Sequence, residues 1–494
     1  MKRMLIKIYN AFENKKARYA FYFMIALFAG IFHNLDNPDE LWNYNFAACV
    51  AKGLLPYRDF NMLQTPFSAF VNGVALAVFG QHLVVIRITG TVLFLFIAVE
   101  ADKISRLLKM HGVGIMVFPS IFLCMFYWDV FLEYSCLIVY FSLFAMRYDL
   151  ETVSGKERSI KSLILSGIPL GLAMLSKQTT GTFMAIAAWI SSFASGYMTA
   201  ESGKAKNAIK SIFFRMIGSS IPCFIFLFYL LTTGTFADFW EMCYEGIFTF
   251  ESGYAYYRFM LENPAFFALG VILPTFLIGG IIIGIAKRKE IKGRHAILVS
   301  IFGAFSCLHM IPLANAFHVG IAFVCIIPSG ILFFTDKFKK SVKAQIMSGL
   351  FLTAAAIFIF AINPAVNMAV NKWTFMRGME LTMDPAEKLE ETGQIVDYVA
   401  EKNSAGTTVY ILDNMAPKYF MPSKQYHKYF DMFLNGNIGT KTPTQLLEAA
   451  PAGSIFLMPD RSRRNYQMPY DEEQKYMDTL EEIGRICDFT IYQK

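Results

Sequence analysis

The sequence predicts an α-helical polytopic membrane protein with about eleven transmembrane helices, two interfacial helices in its first external loop, and a small C-terminal α/β domain outside the cytoplasm. Three observations predict it. Apolar stretches of about 16–24 residues recur between short polar loops, close to the length one helix needs to cross a hydrocarbon core. Of 494 residues, 55% are hydrophobic and only 17% charged, against roughly 25% charged in an average soluble domain. Finally, the basic residues gather in every second loop, which is the asymmetry of the positive-inside rule.

That asymmetry sets the orientation. Of the 45 Lys and Arg, about 26 lie in the segments 1–18, 103–109, 147–161, 204–215, 287–294 and 337–343. Only Lys52, Arg58, Arg87, Lys177 and Arg258 fall in or beside the alternate loops. The first apolar stretch, from Arg18 to His33, follows a basic N-terminus and is not followed by a small-residue cleavage pattern, so it reads as a retained anchor with the N-terminus in the cytoplasm.

Alternating the basic loops gives spans at 19–33, 83–102, 112–128, 135–149, 161–176, 180–198, 212–232, 264–286, 296–311, 317–335 and 344–362. The segment 66–80 is apolar and about 15 residues long, and counting it as a crossing would invert every later loop. It is placed in the outer interface, with 38–53 as a second helix lying along the membrane surface. The external loops are then 34–82, 129–134, 177–179, 233–263 and 312–316. Residues 1–363 form the transmembrane domain and 364–494 the outer one. In the latter the pattern changes to that of a small α/β domain: a helix near 386–402, strands at 408–412 and 454–458, a helix near 471–482, and a last strand in ICDFTIY.

A net charge of +7 does not point to nucleic acid, because the excess sits in the cytoplasmic loops while the tail is mildly acidic. The eight cysteines show no close pair and no metal-ligand spacing. Nucleotide-loop, zinc-protease and serine-hydrolase signatures are missing from suitable contexts, so any chemistry uses carboxylates.

Candidate residues collect at the outer face. Asp39 and Glu40 open the first interfacial helix, where a carboxylate either acts or simply satisfies the helix terminus. Arg58 and Asp59 return to the same loop, and Arg87 follows the second interfacial helix. Asp129 and Glu133 are four apart and share a face if the third span continues through them; the repulsion at that spacing calls for a cation, a basic partner or a raised pKa. Lys177 occupies an outer hairpin where positive-inside statistics disfavour it, so it either meets an anion or snorkels to lipid phosphate. Arg258, beside Tyr256 and Tyr257, carries the same two readings. His309 and His318 flank an outer turn, His318 being the stronger phosphate candidate and His309 reading as an interface histidine.

In layout and short motifs, residues 19 to about 335 resemble the GT-C class of membrane glycosyltransferases that use polyprenyl-phosphate sugars, the group of protein mannosyltransferases and the aminoarabinose transferase. PDELWNYNFAACVAKGLLPYRDF looks like the acidic first-loop motif, QTPFSAFVNGVALAVFGQHLVVIR like the second interfacial helix leading to an Arg, and WDVFLEYS like the second acidic loop. GLAMLSKQTTG looks like the small-residue hairpin with its Lys, and IPLANAFHVGIAFVCIIP like the late outer loop with its His.

The resemblance implies an inverting transfer from a polyprenyl-phosphate-linked sugar to a glycan, lipid or protein acceptor outside the cell membrane. Asp39 matches the base position, with Glu40 beside it. The resemblance leaves Arg58, Arg87, Asp129, Glu133, Lys177, Arg258 and His318 to bind substrate. Pro38 departs from the acidic or polar residue of many relatives, which leaves Asp36 as a substitute base. No cofactor is implied, since the donor carries the sugar; Glu133 matches a position whose role varies between substrate positioning and metal binding. The competing class is a transporter or lipid-linked-sugar flippase, but ionisable residues gather at one face rather than at the bilayer midplane, and no paired repeat is visible. A structural scaffold would leave the Asp39 cluster without a purpose.

Overall fold

The computed structural model describes residues 14–31, 38–125, 132–246, 255–262, 264–311, 313–338, 374–376, 380–382, 386–412, 428–430, 433, 437–460 and 470–494. Its contacts divide it into two units. One comprises Met1–Gly30, Ile88–Phe226 and Ser252–Ile362, the other Ile31–Arg87, Leu227–Glu251 and Asn363–Lys494.

The first unit is helical. It holds α1 (Lys15–Ile31), most of α4 (Leu83–Leu107), α5 (Val117–Met125), α6 (Tyr134–Val153), α7 (Ile160–Ser176), α8 (Gln178–Thr199) and most of α9 (Lys204–Thr233). The helices α11 (Tyr256–Glu262), α12 (Pro264–Ala286), α13 (Ile291–Ser306) and α14 (Ala316–Phe338) complete it. Among the described residues, five helical stretches are long and apolar enough to cross a membrane: Leu83–Leu107, Lys204–Thr233, Pro264–Ala286, Ile291–Met310 and Ala316–Phe333. Apolar helices in the α5 and α7 regions are shorter, and the last stretch expected to cross, 344–362, lies outside the described residues. Phe224, Ile225, Ile282 and Ile285 are each at least 60% exposed, an outward apolar surface that suits hydrocarbon and not water.

Without a hydrophobic drive between helices in lipid, close association relies on small residues that let backbones touch. Gly167 and Gly171 on α7 supply this contact: a Cβ on Gly167 would stand 2.1 Å from the Arg215 carbonyl oxygen, and one on Gly171 2.2 Å from that of Ser219, both on α9. Buried charges pair. The Arg18 guanidinium donates to Asp102 at 2.6 Å with the Tyr22 hydroxyl donating to the same carboxylate at 3.1 Å, Arg215 donates to Asp149 at 2.8 Å, and Arg147 pairs with Glu100.

The second unit contains α2 (Pro38–Ala51), α3 (Phe67–Phe79) and α10 (Phe236–Trp240), which runs on as a π-helical turn, Glu241–Glu245. A proline suits a first helical position, where its missing N–H leaves no hydrogen bond unmade. Leu41, Tyr44, Ala47 and Ala48 of α2 pack against Ala75 and Leu76 of α3 and against Leu83, Val85 and Ile86 at the start of α4. Both segments read as interfacial are therefore helices.

The tail is an α/β arrangement. Strands β3 (Val409–Ile411), β4 (Ile455–Pro459), β5 (Glu481–Ile486) and β6 (Phe489–Gln493) form a sheet in the order β3-β4-β6-β5, with β3 and β4 parallel and the rest antiparallel. A separate antiparallel pair joins β1 (Thr374–Met376) to β2 (Glu380–Thr382). Alternation sends Val409, Ile411, Ile455 and Leu457 to one face, under Ile395, Val396 and Val399 of α15 (Ala386–Ser404). Tyr410, Leu412, Phe456 and Met458 meet α16 (Pro443–Ala449) and α17 (Tyr470–Met477) on the other. The helix expected over 471–482 stops at Met477, because residues 481–486 pair with β6 as a polar edge strand.

Candidate functional site

The outer-loop candidates divide between the two units. In the second unit, Asp39 and Glu40 stand in the first turn of α2. Neighbouring helical residues point about 100° apart, so the two carboxylates diverge. Glu40 turns inward, where it accepts from Arg87 Nε at 2.8 Å and Nη2 at 3.0 Å, with both side chains fully buried. Asp39 is half-buried and its backbone carbonyl accepts from the Asn43 amide at 2.8 Å.

In this structure the carboxylate expected to be catalytic, Glu40, and the guanidinium expected to bind substrate, Arg87, are engaged with each other. A carboxylate held bidentately by a buried guanidinium is a poor proton acceptor, and a guanidinium so engaged has its fork committed to the protein. The pair instead fastens the start of α2 to the start of α4. One turn along α2 from Asp39, the Asn43 side-chain oxygen is buried and has no hydrogen-bond partner among the described residues. Sequence reading gave Asn43 no weight, although its spacing of four from Asp39 marks a shared helical face.

Arg58 also finds a carboxylate. Its Nε and Nη2 donate to Asp59 at 2.9 and 3.0 Å, with Arg58 55% exposed. The Arg58 hydrogen bond holds the Asp59 carboxyl below its usual range, against the opposing effect of partial burial, and the Leu55 N–H adds to it at 2.8 Å. Tyr57 is fully buried with a left-handed φ of 70°, and burial keeps its phenol protonated well above the usual range.

In the first unit, Glu133 precedes α6 as its N-cap, with an extended backbone (φ −122°, ψ 167°). Its buried carboxylate accepts from the Ser135 N–H at 2.7 Å and the Cys136 N–H at 2.5 Å. Glu133 thus stands at the head of α6; Asp129, with which it was expected to share a face if the third span continued, lies outside the described residues, as does Asp36.

Lys177 is the single residue between α7 and α8. Its ammonium sits 4.9 Å from the Tyr134 ring centroid. The Asn315 side-chain oxygen accepts from the His318 backbone N–H at 3.0 Å and lies 2.7 Å from Nδ1. An oxygen can only accept, so Nδ1 carries the proton and Nε2 is the nitrogen left to meet a ligand. Gln178 and Thr180 are buried nearby in sequence, and the Thr180 hydroxyl has no partner among the described residues. Lys177 and His318 belong to the same unit, with Glu133 one residue before the tyrosine under Lys177. Arg258 is exposed on α11. Among the described residues no group of three or more His, Cys, Asp or Glu is placed to hold a metal ion.

No family model and no curated protein sequence matches this chain. Solved structures do. ArnT from Cupriavidus metallidurans, bound to undecaprenyl phosphate, matches with a TM-score of 0.54 at 11% identity, over 96% of this chain and 97% of that one. The Archaeoglobus fulgidus oligosaccharyltransferase matches at a TM-score of 0.48 and 11% identity over 83% of this chain, which spans 61% of that protein's length. The S. cerevisiae protein O-mannosyltransferase Pmt1-Pmt2 complex, bound to its sugar donor, matches at 0.34 and 18% identity, over 44% of this chain and 33% of that one. On the strength of that near end-to-end match, the chain shares the overall fold of ArnT.

Proposed function

We propose that this chain is an inverting glycosyltransferase that moves a sugar from a polyprenyl-phosphate-linked donor to a glycan, lipid or protein acceptor on the extracytoplasmic side of the cell membrane, with Asp39 as general base. One observation carries the reading most: of two adjacent carboxylates at the head of α2, Glu40 is bound by Arg87 while Asp39 stays half-buried and partly open to solvent. It does so on a fold like that of ArnT, which was solved with undecaprenyl phosphate bound.

The chemistry follows from the groups. Asp39 takes the proton from the acceptor hydroxyl or amine as that atom attacks the anomeric carbon, and the lipid phosphate leaves with the electrons of the broken bond. General-base help of this kind is typically worth about 10²–10⁴ in rate. In the first unit, Lys177 and the Nε2 side of His318 are the groups suited to an anion. In this reading Arg258, exposed on α11, is a further candidate to bind substrate. The eleven-crossing topology, with the N-terminus in the cytoplasm and the tail outside, is part of the same proposal. It is supported by the grouping of the first outer loop, the 227–251 segment and the tail in one unit.

The test is Asp39→Asn in purified protein. Transfer of sugar from a polyprenyl-phosphate donor falls by at least about a hundredfold while insertion and folding are retained. Full activity in that variant overturns the assignment.

A further inference from the structure

The loop 54–65, which follows α2, is unusually well tied for an outer loop. The Tyr57 backbone takes a sparsely populated left-handed conformation, which persists only where the surroundings over-determine it. Those surroundings are visible. The Tyr57 N–H donates to the Phe60 carbonyl at 2.9 Å, its hydroxyl donates to the Gln64 carbonyl at 2.9 Å, and its ring meets Phe239 edge-on at 5.3 Å. Phe60 stacks on Phe46 of α2 with centroids 6.0 Å apart, so the loop and the helix bearing Asp39 share packing.

A further tie comes from the far end of the chain. The Asn61 side-chain amide donates to the Asn437 carbonyl at 2.7 Å, and both residues are buried. The next residues divide their contacts. Ile438 packs into the core under the tail sheet, while the Thr440 N–H and hydroxyl donate to Glu241 Oε1 at 3.3 and 3.0 Å. Gly439, with φ 66°, lies so close to Glu241 that a Cβ would come within 2.8 Å of the same oxygen. Lys428 adds an ion pair to Asp238 at 2.8 Å. Asp238 and Glu241 belong to the same short stretch that buries Phe239, Met242 and Cys243 and offers the Cys243 thiol to the Met62 carbonyl at 3.8 Å. One face of that stretch therefore serves the first outer loop and another the tail.

We infer that the turn Asn437–Thr440 is a positioning element for the first outer loop, through which the α/β tail holds loop 54–65, and with it the head of α2, in one conformation. This rests on the assignment of Asp39 above for its catalytic meaning, though not for its physical content. The tail's own core has no need of the contact to Asn61: Ile438 is already seated among Tyr410, Phe456 and Leu447 without it. The bond therefore orders the loop more than the tail.

Hydrogen–deuterium exchange on the full-length purified protein tests this. Thr440→Val removes the hydroxyl donor, Thr440→Ser keeps it, and Gly439→Ala forces a side chain against Glu241. Exchange at the amides of 57–62 is expected to quicken about tenfold in Thr440→Val and Gly439→Ala, the size of effect that loss of a hydrogen bond to a charged group produces. Thr440→Ser is expected to match the parent, and β4 and β6 are expected to keep their protection in all three. Unchanged exchange at 57–62 in Thr440→Val overturns the proposal, as does an equal rise in Thr440→Ser. If Gly439→Ala also opens β4 and β6, the Thr440 pair decides alone. Exchange needs no turnover, so a fully active Asp39→Asn would refute the catalytic reading and leave this result standing.

Discussion

Glu40 and Arg87 meet bidentately at 2.8 and 3.0 Å with neither side chain reaching solvent, and the pair ties the head of α2 to the start of α4. Removing one partner strands the other as a buried charge, which costs about 3–5 kcal/mol. Arg87→Met and Glu40→Leu should each lower the thermal midpoint sharply, while the double variant should recover much of the loss. Thermal unfolding of the three proteins in one detergent checks this, and strictly additive losses would contradict it.

Lys177 offers an anion-binding prediction. Lys177→Met should weaken binding of undecaprenyl phosphate by roughly tenfold or more, since a charge-assisted contact in a partly desolvated site is lost. Lys177→Arg should keep much of the affinity. Titration of both variants with that lipid in nanodiscs is the measurement, and parent-like binding by Lys177→Met would remove Lys177 from the site.

The Asp59 carboxyl, lowered by Arg58, gives a pH dependence with a fixed sign. A depressed carboxyl stabilises the fold at pH above its unfolded value of about 3.9, and that contribution disappears as pH falls through the lower folded value. The gap in thermal midpoint between the parent and Asp59→Asn should therefore be constant near neutrality and close in acid. A gap that widens on acidification would reverse the sign.

The topology is checked by labelling. In a cysteine-free background, Ala255→Cys and Lys441→Cys, both at exposed positions, should react with an impermeant reagent in intact cells, while Glu290→Cys should not. Reaction at 290 would invert the loop alternation.

The helix contact in the first unit can be tested by size. Gly167→Leu drives a side chain into the Arg215 carbonyl, against which a Cβ alone would stand at 2.1 Å. A drop in thermal midpoint larger than that of Gly155→Ala, which has nothing within 4 Å of its Cβ but a φ of 103°, is expected.

Much of this architecture is legible in the residue pattern because the first unit consists of apolar runs bounded by charge, and each run from 19–33 to 317–335 covers helical residues. Strands 408–412 and 454–458 were readable from β-branched and aromatic alternation; the first encloses β3 and the second covers all of β4 but Pro459. The edge strand β5 was not, since Glu481, Glu482 and Arg485 make it look like the end of a charged helix.

At the site, spacing alone separates Asp39 from Glu40 only once the position of Arg87 is known, because a helix gives every pair of neighbours the same divergence. The capping role of Glu133 was hidden for a related reason: only the backbone shows that α6 starts after it, with an extended conformation at Glu133 itself. Asn61 and Glu241 carried no local signal at all. Their partners stand 376 and 199 residues away, and nothing in a short window anticipates such pairings.

The helices α7 and α8 are separated by Lys177 alone, with the Lys177 carbonyl accepting from the Gly181 N–H at 2.9 Å and its own N–H donating to the Ala173 carbonyl at 3.3 Å. An ammonium mounted on so short a link has little backbone freedom left to lose. For the phosphate of the proposed donor, the entropy of ordering the loop would already have been settled during folding, so preorganisation, not charge alone, would distinguish this lysine from one on a flexible surface.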